Sequence, residues 1–138
     1  MRTAIDTNII LAIWNNEPSA RQLSQELQNA RLQGGLIVCG TVFAELLAHP
    51  GMNPTLLETT LRQGDIDVDF ATGKSIWSQA GTAFSGYIVR RKNAQIGLIK
   101  QLLSDFVIGA HASERADQLL TLDPKRYSQG FSSLKLIP

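Results

Sequence analysis

Short apolar runs alternate with helix-patterned segments along this chain, and that alternation admits few folds. TAID (3–6), GLIVCG (35–40), DQLLTLD (117–123) and SLKLIP (133–138) have the length and apolar content of buried strands. DIDVDF (65–70) alternates polar and apolar residues, which suits a strand nearer a sheet edge. Helical patterns fill the gaps: TNIILAIWNN (7–16), PSARQLSQELQNARLQ (18–33), TVFAELLAHPG (41–51) and NPTLLETTLRQG (53–64). TGKSIWSQAGTAFSGYIVRRKNA (72–94), despite Gly81 and Gly86, and SDFVIGAHASER (104–115) complete the set. Thr41 and Ser104 are the expected N-caps of their helices. Strands in alternation with helices predict an α/β domain built on a mainly parallel sheet.

The chain has 138 residues, enough for one domain with a real core, and no linker or repeat divides it; a single domain over 1–138 is expected. One cysteine, Cys39, rules out a disulfide framework within the chain and points to a reducing compartment. The first apolar run, IILAIW, is too short for a membrane span or signal peptide, so a cytoplasmic protein is expected. Net charge is +1, which by itself neither favours nor opposes nucleic acid. Arg90, Arg91, Lys92 and Lys100, however, fall in one stretch without an acid. Such a patch can hold phosphate, or it can be a solvated helix face.

Four acids are placed where chemistry is expected. Asp6 follows the first strand and Asp123 the fourth, and ligands of open α/β sheets bind beyond the carboxyl ends of strands. Glu45 lies one turn into a helix among Val42, Phe43, Ala44, Leu46 and Leu47, surroundings that penalise an unpaired carboxylate. Asp105 opens the helix leading into the fourth strand. Singly, each has a plain reading: Asp6 as a cap, Glu45 as a solvated residue, Asp105 as a helix-dipole partner, Asp123 as a turn residue. Gathered in one pocket they would repel, and a hard divalent cation with oxygen ligands would relieve that cost. One cysteine with His49 and His111 offers no zinc pattern, and both histidines suit packing or hydrogen bonding.

These pieces resemble a PIN-domain ribonuclease of the VapC toxin type. The resemblance is carried by AIDTN around Asp6, VFAELL around Glu45, LSDFVIGAHA around Asp105, ADQLLTLDPKRY around Asp123, and the closing F-x-x-L-K-L-I-P. It implies a five-stranded, mostly parallel sheet flanked by helices in three layers, with the acids converging at one edge. It further implies an endoribonuclease that uses Mg²⁺ or Mn²⁺ and is controlled by a cognate antitoxin. Asp6, Glu45 and Asp105 would be direct or water-mediated ligands, with Asp123 completing a second site or orienting water. Thr7, Asn8, Ser104 and Thr121 would support the ligands, or act as caps and turns. Arg90, Arg91, Lys92 and Lys100 would hold the RNA backbone, and apolar helix faces would suit a homodimer.

Three other classes compete, of which a response-regulator receiver would need an early adjacent acidic pair and a late lysine that the sequence does not place. A haloacid-type phosphatase would use Asp6 as nucleophile, but Asn8 stands where it needs a second Asp. A PIN-fold binding module without useful turnover would share the fold and lack the activity.

Overall fold

The computed structural model describes residues 1–93 and 102–138. Lys100, one of the four basic residues singled out above, lies outside them. In chain order the elements are β1 (Thr3–Ile5), α1 (Thr7–Trp14), α2 (Ala20–Gln33), β2 (Leu36–Cys39), α3 (Gly40–Leu46) and α4 (Pro54–Gln63). They continue with β3 (Ile66–Asp69), α5 (Lys74–Asn93), α6 (Leu103–Arg115), β4 (Gln118–Leu120), α7 (Lys125–Ser128) and β5 (Lys135–Ile137).

The five strands form one sheet in the order β3-β2-β1-β4-β5, and every pairing is parallel. The expected α/β fold, with its five-stranded sheet flanked by helices, is therefore the one observed. β3, the polar strand of the sequence, lies at an edge. β1, β2 and β4 are buried along their whole length. Covering helices on both faces make that possible, since parallel strands need crossovers that return over the sheet.

The order of the strands also locates a crevice. From β1 the chain moves to β2 on one side and later returns to β4 on the other. Loops leaving β1 and β4 diverge, which opens a gap at the carboxyl end of that strand pair. Asp6 N–H still donates to the Leu120 carbonyl (3.0 Å), so the ladder runs up to the gap.

Core packing fixes the helices that border this gap. Ile9 and Ile10 of α1, Val42 and Leu46 of α3, and Phe106, Val107, Ile108 and Ala110 of α6 are buried in one cluster with the strands. Each large apolar side chain so buried contributes roughly 1.5–3 kcal/mol before entropy is charged against it. Gly109 has a packing role: a Cβ there would overlap the Phe131 ring, so only glycine lets that ring lie on α6.

Two helix starts differ from expectation. The cap position of α3 is Cys39, and the helix begins at Gly40, before Thr41. The cap position of α6 is Leu102, so Ser104 is already the second helical residue. In both cases the strand or chain direction set by packing outweighs a cap worth about 1 kcal/mol. α4 follows its sequence signal: Pro54 starts it and Asn53 caps it, accepting from Leu56 N–H at 2.9 Å. No helix among the described residues is long and apolar enough to cross a membrane.

Candidate active site

Asp6 occupies the cap position of α1, but its side chain makes no cap hydrogen bond. It is turned across the gap instead. Its Oδ2 accepts from the Thr121 hydroxyl and from the Tyr127 hydroxyl, each at 2.8 Å. Two O–H donors on one oxygen fix the plane of a carboxylate that is only 4% exposed. The capping explanation for Asp6 is thereby displaced: the side chain is held by residues from the far side of the sheet's switch point.

Thr121 joins both sides of the gap. It donates to Asp6 and accepts from Asp123 N–H at 3.0 Å. Asn8 reaches over in the other direction, its Oδ1 accepting from Leu122 N–H at 3.2 Å. Thr7, directly after Asp6, donates its hydroxyl to Glu45 Oε1 at 2.8 Å. Asp105, in the first turn of α6, accepts from Leu102 N–H at 3.2 Å. Ser104 is half-buried beside it.

The electrostatics place three of the acids in one neighbourhood. Burial pushes the Glu45 carboxyl above its ordinary range, and the charges of Asp6 and Asp105 add to that push; Thr7 and Arg126 oppose it. Burial likewise raises Asp105, with Asp6 and Asp123 adding, and Leu102 N–H and Arg126 opposing. Burial, followed by Asp6, drives the Tyr127 phenol far above its usual value, so it stays a hydrogen-bond donor. Mutual repulsion of this kind is what a cation would relieve.

The donor set fits a hard divalent ion by its chemistry, being carboxylate oxygens with hydroxyl support. Among the described residues, however, no three acidic, imidazole or thiol groups close around one point at ion-holding distance. Arg126 takes part of their coordination capacity. Its Nε lies 2.8 Å from Asp123 Oδ2 and its Nη1 lies 3.6 Å from Asp105 Oδ1. Burial raises the Cys39 thiol, which keeps it protonated and unreactive at neutral pH.

Arg126 and Tyr127 were not singled out from sequence. Both ride on α7, a four-residue helix with no periodicity to read; Asp6, the partner of Tyr127, and Asp105, the second partner of Arg126, lie far off in the chain. The one available signal was their position just after Asp123.

Three of the basic residues sit at the end of α5. Arg90, Arg91 and Lys92 form the last turn of α5. Arg91 lies over the Tyr87 ring, with its guanidinium 5.8 Å from the centroid, and Tyr87 packs on Phe106 beside Asp105. Arg90 and Arg91 are half-buried and Lys92 is exposed. His49 and His111 are not among the convergent groups. His49 pairs with Asn15 at 3.2 Å and packs edge-on against Trp14, while His111 donates to Asp69 at 2.9 Å.

Comparison with known proteins identifies the fold and the family. The family model of the PIN domain matches residues 3–130. Solved structures with the same fold include VapBC2 from Rickettsia felis bound to a DNA fragment from their promoter, at 18% identity and TM-score 0.61 over 99% of this chain and 97% of that one. VapBC-1 from nontypeable Haemophilus influenzae aligns at 21% identity and TM-score 0.62, covering 99% and 96%. FitAcB from Neisseria gonorrhoeae aligns at 17% identity and TM-score 0.64, also covering 99% and 96%. No curated protein sequence matches. With a strand-end aspartate at the switch point, acids from α3 and α6 beside it, and the family model spanning nearly the whole chain, this protein belongs to the PIN domain family.

Proposed function

We propose that the chain is a metal-dependent endoribonuclease and the toxin of a toxin–antitoxin pair. The observation that carries this reading is the gathering of Asp6, Glu45 and Asp105 at the carboxyl edge of the sheet, where burial raises Glu45 and Asp105, the charge of Asp6 adds to both, and Asp105 adds to Glu45. Asp6, Glu45 and Asp105 would hold the ion, and Asp123 would complete the acidic edge. A bound Mg²⁺ or Mn²⁺ would supply an acidified water and stabilise charge on the phosphate. Thr121 and Tyr127 fix Asp6, and Thr7 fixes Glu45, so the acids face the gap in set orientations. Tyr127, kept protonated, donates and does not add charge. Arg90, Arg91 and Lys92 would take the RNA backbone along the end of α5, with Lys100 completing the stretch.

The antitoxin follows from the resemblance and from the VapBC assemblies among the structural neighbours. An apolar partner segment would sit between the early helices, in a cleft lined chiefly by Ile10, Ile13, Trp14, Leu27 and Leu61. A partner Arg or Lys reaching the acids would pair with them. Homodimer formation would draw on exposed apolar side chains such as Trp77 and Val89 of α5.

The test is cleavage of RNA by purified protein. Chelator should abolish it and Mg²⁺ or Mn²⁺ restore it; undiminished cleavage in excess chelator rejects the reading. A phosphoenzyme on Asp6 would instead identify a phosphatase.

A further inference from the structure

The acids of the site divide by what holds them. Asp6 and Glu45 are held by hydroxyls, from Thr121, Tyr127 and Thr7. Asp105 and Asp123 share a guanidinium, that of Arg126. Neutral hydroxyl donors orient a carboxylate and leave its charge in place. A guanidinium cancels charge and uses oxygens that an ion would need. These two halves therefore differ in what a cation meets on arrival.

We propose that Arg126 is a resident counter-cation that competes with a divalent ion for Asp105 and Asp123, and so sets how much metal the site requires. The inference rests on the metal-site reading given above. Three features support it. The placement is built in: Arg126 N–H donates to the Asp123 carbonyl (3.1 Å) in the turn that also delivers Tyr127 to Asp6. The Arg126 charge also reaches beyond its two partners, acting on Glu45 and Tyr127 as well. And the Arg126 side chain is 43% exposed, so it can swing into water without uncovering core. The pair with Asp123 is exposed on both sides and so weak enough to exchange, while the contact with the more buried Asp105 is long, at 3.6 Å.

Competition of this form has a definite signature in metal binding. Mn²⁺ affinity, measured by calorimetry on the full chain, should rise about fivefold in Arg126→Gln, the factor expected when one partly exposed charge pair is removed. Arg126→Lys keeps the charge and should bind Mn²⁺ between the two. Asp105→Asn should bind more weakly than the parent. Unchanged or weaker Mn²⁺ binding by Arg126→Gln overturns the proposal. Equal binding by the parent and Asp105→Asn places the ion elsewhere, and then the metal-site reading falls and this inference with it. The parent protein offers a check that needs no variant: the Arg126 Nε–H resonance should shift as Mg²⁺ is added. A resonance that stays fixed at saturating Mg²⁺ overturns the competition even where a variant fails to fold.

Discussion

Two groups of charged residues flank the sheet, and they are built on opposite plans. At the end of β3, Asp69 accepts from His111 (2.9 Å), Arg115 (3.1 Å) and the Ala71 N–H (3.0 Å). Burial alone would raise its carboxyl, but those hydrogen bonds and the charges of His111 and Arg115 outweigh it, and the net shift is downward. At the ends of β1 and β4 the acids outnumber the bases, and Glu45 and Asp105 are shifted upward. One cluster spends its charge on holding edge strand β3 to α6. The other keeps charge unspent, at a cost in stability, and that is the pattern of a binding site.

Neutralising one acid in each cluster should separate the two plans most strongly. Asp6→Asn should lower RNA cleavage by on the order of 100-fold or more, beyond the usual loss for residues that merely support a ligand. Its melting temperature should hold or rise slightly, since a repelling charge is gone. Asp69→Ala should do the reverse. It strands His111 and Arg115, so the protein should lose about 1–3 kcal/mol in chemical denaturation, with cleavage per folded molecule unchanged. A stable Asp69→Ala protein, or a destabilised Asp6→Asn protein, would erase the distinction.

Tyr127→Phe is a finer probe. It removes one of two hydroxyls on Asp6 Oδ2 and leaves Thr121 in place. Cleavage should fall roughly tenfold, at the low end of what supporting partners cost. Full activity would mean that Thr121 alone orients the carboxylate.

The smallest effect concerns pH. Burial lowers the His111 pKa from 6.5, although Asp69 pulls the other way. The unfolded chain then takes up this proton before the folded one does. The contribution of His111 is fully present above pH 6.5 and declines as pH falls towards the lowered folded value. Asp69, also lowered, acts in the same direction, below its ordinary value of 3.8. The raised Glu45 and Asp105 act the opposite way as pH falls, so the measurement is the difference between parent and His111→Gln: from pH 7 to 5 the parent should lose more stability than the variant. An unchanged slope in the variant would assign the loss to other groups.

How much of this could be read from sequence depends on the range of each interaction. Strand runs and helix stripes are local, and β1 to β5 fall within the expected segments. The four acids stand out as candidates because strand ends and helix starts are themselves local features. Tyr127 and Arg126 were missed because their value comes from partners 121 and 21 residues away, Asp6 and Asp105. Asp69 was read only as part of a polar edge strand, since its partner His111 lies 42 residues on. Thr41 and Ser104 misled in the opposite way, as good capping residues placed one or two positions inside helices whose starts were set by packing.

The bond between Thr121 and Asp6 spans 115 residues, and it has a consequence for the order of events during synthesis. Asp6 leaves the ribosome early and waits, because β4 must be made and inserted beside β1 before Thr121 or Tyr127 can reach it. Pairing across so long a loop is slow and comes late in folding. A nascent chain therefore carries the first acid of the site without the groups that orient it, and whatever the site can do is withheld until translation has passed the fourth strand.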